Sequence, residues 1–116
     1  MLQVAFFNRR EIRMGSPYNV CGIRLSGSWV PELPEADWQD IRAYRPDRKV
    51  MALVRWDVPG NVPGFRLWIL DTIDEIVETS ERFPGCCTSL EWKSEEEIAW
   101  KAFPDLEGTY RRKKPV

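Results

Sequence analysis

Residues 49–72 read KVMALVRWDVPGNVPGFRLWILDT, and this stretch decides the fold. KVMALVRWD is a dense apolar run with the length and β-branched character of a strand buried on both faces, which places it at the centre of a sheet. In GFRLWILDT, Phe65, Leu67 and Ile69 alternate with Arg66, Trp68 and Leu70, the two-residue period of a strand. PGNVPG between them supplies two proline-containing turns. A parallel crossover needs roughly a dozen residues or more, so the two strands must pair antiparallel.

Working upstream, LQVAFF, REIRM and VCGIRLSG are candidate strands, separated by Asn8 and by the turn residues GSPYN. In GSWVPELPEAD, Pro31 and Pro34 remove backbone donors and forbid a regular ladder or helix interior. WQDIRAY is ambiguous. Trp38, Ile41 and Tyr44 have the spacing of a short helix, while the following RPDR turn suits a strand, so residues 35–44 remain open. Downstream, EIVETSERF, CCTSLEWKS and EIAWKAFP are separated by FPG and by an acidic SEEE corner. The expected fold is all-β, an antiparallel meander of about eight or nine short strands with at most one short helix, as a barrel or a sandwich. Residues 1–108 form the expected single domain. Residues 109–116, charged and lacking an apolar partner set, are expected to be a flexible basic tail.

The chain has 116 residues, 43% of them hydrophobic, enough for one core and not for two. No apolar run approaches the roughly 18–20 residues of a membrane-spanning helix, so no membrane association is expected. Histidine is absent, which removes any Ser/His/Asp or Cys/His nucleophilic relay. Cys21, Cys86 and Cys87 are an odd set; neighbours in a strand point to opposite faces, so reduced thiols and no metal site are expected. Gly60, Gly64 and Gly85 stand beside prolines in turns rather than in a strand-to-helix phosphate loop, which argues against a nucleotide cofactor. The N-terminal MLQVAFFNRREIR has its charges after a short apolar run, unlike an export signal, and the expected location is cytoplasmic. Catalytic residues and cofactors are expected to be none.

Charge is unevenly distributed. The whole chain carries 17 basic and 18 acidic residues, but residues 71–107 hold eleven acids against Arg82, Lys93 and Lys101, net −8. Such a field steers a basic partner and disfavours nucleic acid. The residues expected to meet that partner are Glu75, Glu78, Glu81 and Glu91 with the Glu95, Glu96, Glu97 corner. Of the six tryptophans, Trp29 and Trp38 in the proline-rich segment are the expected exposed aromatic anchors.

The stretches MGSPYNVCGIRLSGSWVPELP, KVMALVRWDVPGNVPGFRLWILDT, PGCCTSLEWKS and IAWKAF resemble small bacterial immunity-type proteins, which neutralise polymorphic toxins. The resemblance implies a non-enzymatic inhibitor whose partner is a cognate toxin domain. The charge layout suits a nuclease, because carboxylates would stand where phosphates bind. Two rival readings remain: a carbohydrate-binding or glycan-processing β domain using tryptophans and paired carboxylates, and a structural or regulatory subunit that offers an edge strand. The sequence leaves the oligomeric state open.

Overall fold

The computed structural model describes residues 1–11 and 19–113. Ten strands run in chain order: β1 (Gln3–Glu11), β2 (Asn19–Ser26), β3 (Trp38–Tyr44), β4 (Val50–Trp56), β5 (Gly64–Asp71), β6 (Ile76–Thr79), β7 (Phe83–Pro84), β8 (Cys86–Trp92), β9 (Glu97–Phe103) and β10 (Leu106–Arg111). β1 to β6 form an antiparallel meander in sequence order, with β7 added beside β5, and β8 to β10 form a second, three-stranded sheet. Among the described residues no ladder joins the two sheets, so the arrangement is a sandwich and not a closed barrel. A single 3-10 turn at Pro59–Asn61 is the sole helical element among the described residues.

The β4–β5 pair is the axis of the molecule, in register from Val50↔Asp71 to Trp56↔Phe65. On one face Val50, Ala52, Val54, Phe65, Leu67 and Ile69 pack against Cys87, Ile98, Trp100, Ala102 and Tyr110 of the β8–β10 sheet. On the other face Met51, Leu53 and Leu70 pack against Leu2, Val4, Cys21 and Trp38, so the β1–β2 hairpin curls over that side. The expected burial of β4 on both faces is what the structure shows. Rings stiffen the first core: Phe65 meets Trp100 edge-on at 5.4 Å, and Phe83 lies 4.9 Å from Trp100. Such pairs add about 0.5–1.5 kcal/mol beyond the area they bury.

Side chains tie the layers together. Gln39 Nε2 donates to the Cys87 carbonyl and Trp92 Nε1 to the Ala43 carbonyl, both at 2.9 Å, linking β3 to β8. Arg42 and Tyr44 donate to the Val4 and Leu2 carbonyls, capping β1 from β3. Gly85 turns the chain into β8 at φ 89°, where an added Cβ would collide with the Phe103 carbonyl.

The open reading of residues 35–44 resolves to strand at residues 38–44, where β3 pairs with β4 up to Tyr44↔Met51. Other expectations are corrected. The expected break between LQVAFF and REIRM is a bulge inside β1, with Asn8 at φ 52° and a register shift between Phe7 and Arg10. The last three residues of REIRM and most of GSPYN lie outside the described residues. The tail also differs from expectation up to residue 112: Leu106–Arg111 pairs with β9 throughout, and Arg112 is buried. The β9 ladder, the burial of Tyr110 and an ion pair of Arg112 across the fold hold it there.

Candidate functional site

The β8–β9 hairpin projects an acidic corner whose backbone is held from several directions. Within it Lys93 N donates to Glu97 O at 2.8 Å and Glu96 N to Ser94 Oγ at 3.2 Å. From the residue just after β10, Arg112 N donates to Glu96 O at 2.7 Å, and from the β3–β4 turn Arg45 Nη1 donates to Glu95 O at 3.1 Å. Arg45 is itself aimed by a two-pronged contact with Asp47, at 2.6 and 3.1 Å. The Arg45 hydrogen bond, aided by the Lys49 amide, holds the Asp47 carboxyl down at about 2.

The corner's side chains face solvent where its backbone is fixed. Glu95 and Glu96 are exposed, Glu97 is half-buried opposite Arg111, and the Glu91 side chain is 71% exposed. Glu91 touches Lys93 at 3.0 Å and Glu96 touches Arg111 at 2.8 Å. Exposed pairs of this kind contribute about 0–1 kcal/mol, so a partner's cations can displace them.

The acids upstream divide. Glu75 is exposed in the turn between β5 and β6, and Glu81 is exposed just beyond β6. Glu78, expected to face a partner, is turned inward instead. One of its oxygens accepts from the Tyr110 hydroxyl and the Lys113 amide, the other from Arg112 Nε at 3.3 Å. Arg112 also pairs with Asp71 at 3.1 Å, with the two side chains only 2% and 0% exposed. Burial pushes the Asp71 carboxyl up, but the amides of Asp74 and Ile73 and the Arg112 guanidinium bring it below its ordinary value. Burial first, then the Glu78 contact, raises the Tyr110 hydroxyl well above its usual value.

The expectation that every acid from Glu75 to Glu97 faces a partner is therefore corrected at Glu78, which joins Asp71 in an inward cluster around Arg112. Folding of the tail also trims the imbalance. Residues 71–113 carry eleven acids against six bases, net −5. Arg111 and Arg112 supply the ion pairs to Glu96, Asp71 and Glu78, and Arg45 from the first half of the chain sits against Glu95 through its backbone carbonyl.

The tryptophans are corrected as well. Trp38, expected at the surface, is 2% exposed and meets Trp68 edge-on at 5.5 Å; Trp29 is half-buried against the same core. None of the six tryptophans is exposed. Sequence reasoning missed Arg45 and Arg112. The RPDR turn carried a signal for Arg45, since Asp47 lies two residues on, whereas Arg112 and Asp71 are 41 residues apart and carried none.

Against known protein families, curated proteins and solved structures, the chain gives no match.

Proposed function

We propose that the chain is a cytoplasmic binding protein of the immunity type, which neutralises a bacterial toxin by receiving a basic surface of it at the acidic corner. The observation that supports this reading is the combination found at the β8–β9 hairpin: solvent-facing carboxylates of Glu91, Glu95 and Glu96 on a backbone pinned from β10 and from the β3–β4 turn. A partner meeting this corner has little backbone ordering left to oppose binding. The carboxylates accelerate encounter with a cationic groove, and in a nuclease they would take the places of phosphates. The reading assigns no catalytic group to this chain. A glycan reading draws no support from the tryptophans, which are all wholly or partly buried, nor from Asp71 and Glu78, which Arg112 covers.

The test is capture from the native cell extract on the wild-type chain and on the Glu95→Lys/Glu96→Lys variant. The expected capture is a basic polypeptide, lost with the variant, whose toxicity is suppressed when it is co-expressed with the wild-type chain. Equal capture by both baits, or toxicity that co-expression leaves unchanged, would overturn the proposal.

A further inference from the structure

Across β4–β5 from the β8–β10 sheet, a solvent-open groove of about 810 Å3 runs between β2 and the proline-rich segment that follows it. β2 pairs with β1 from Gln3↔Ser26 to Phe7↔Gly22, but with β3 at Cys21↔Trp38 alone. Among the described residues, the second edge of residues 22–25 therefore has no ladder partner. The segment opposite cannot supply a regular one, because Pro31 and Pro34 lack backbone N–H donors. The groove is lined on its apolar parts by Ile23, Leu25, Leu33, Trp38, Trp56 and Val58.

Burial sets one charge in this lining apart. Arg10 reaches Asp37 at 3.8 Å and Glu35 is exposed to water, whereas the half-buried Arg55 lies 5.6 Å from the Trp68 ring centroid and its guanidinium has no ion pair or hydrogen bond among the described residues. A guanidinium partly withdrawn from water with only a ring beneath it is a site for an anion, and its planar fork fits a carboxylate.

We propose that this groove binds an extended segment of a partner protein by strand addition to residues 22–25, with a carboxylate of that segment set against Arg55. The open edge specifies extended backbone through main-chain hydrogen bonds. The lining between Leu25 and Leu33 receives apolar side chains at alternate positions of the segment, and Arg55 fixes its register. This surface is separate from the acidic corner and stands whether or not that corner receives a toxin.

Random peptides displayed on phage and panned against the full chain are the probe. The expected survivors alternate apolar residues and carry Asp or Glu at one fixed place. Synthesised survivors should protect from hydrogen exchange those alternate amides of residues 22–25 that point away from β1. Arg55→Gln should weaken their binding about tenfold, the size expected for losing a partly desolvated charge contact. Arg55→Glu should recover binding when the peptide's acid is exchanged for lysine. Val30→Asp at the exposed lip of the groove, 48% accessible and outside the core, should also weaken binding while leaving the fold intact. Failure to enrich any peptide, protection elsewhere, or indifference to Arg55→Gln would overturn the proposal. So would sedimentation showing that a second copy of this chain occupies the edge.

Discussion

Two groups of acids, drawn from neighbouring strands of one net-negative stretch, have opposite fates. Asp71 and Glu78 are folded inward around Arg112, with every polar contact satisfied inside the protein. Glu91, Glu95 and Glu96 stand in solvent on a backbone that other elements hold still. Charge in the sequence therefore has two uses here, and burial decides between them. In the inner cluster a lost partner strands a charge in low dielectric, so the fold depends on it. In the outer corner water screens each carboxylate, so the fold is nearly indifferent and the charge remains available to a partner.

The contrast is broken most severely at Arg112. Replacing it with Met leaves two inward carboxylates without their cation and should cost about 3–5 kcal/mol, measured by urea unfolding at neutral pH. That is a large share of the roughly 5–15 kcal/mol that holds a domain of this size together. Tyr110→Phe removes only the hydroxyl donated to Glu78 and should cost about 1–2 kcal/mol in the same assay. It should also flatten the alkaline limb. A hydroxyl whose folded pKa is raised contributes its stability below the unfolded value of about 10 and loses it as pH rises further.

The acid limb tests the inner cluster from the other side. Because the folded Asp71 pKa is lowered, its contribution is complete above the unfolded value of about 3.9 and is lost as pH falls below it. Thermal melts on a descending pH series should show this loss, and Asp71→Asn should lessen the slope at the expense of stability at neutral pH. At the corner the effect is smallest: Glu95→Lys/Glu96→Lys should shift stability by no more than about 0.5 kcal/mol. A shift as large as that of Arg112→Met would abolish the distinction between the two groups.

The centre of the fold was legible because its signal is local. Residues 50–54 contain no charge, and the alternation of Phe65, Leu67 and Ile69 names the face that meets the β8–β10 sheet. Trp38 was misplaced because it sits among acids and prolines, and its burial depends on the β1–β2 hairpin curling over Met51 and Leu53. Glu78 and Glu95 look alike in sequence. What separates them is Arg112, which reads as part of a solvated basic tail until β10 carries it to Asp71 and Glu78. The proline pair at residues 31 and 34 marked a segment unable to join a ladder, but the open edge of β2 beside it required the three-dimensional register.

The rate at which the captured basic partner associates with the chain, followed by stopped flow over a range of ionic strength, probes the acidic corner most directly. An encounter steered by Glu91, Glu95 and Glu96 predicts a wild-type rate that falls steeply with added salt and a Glu95→Lys/Glu96→Lys rate that is slower and nearly flat. Identical salt slopes for the two proteins would contradict it.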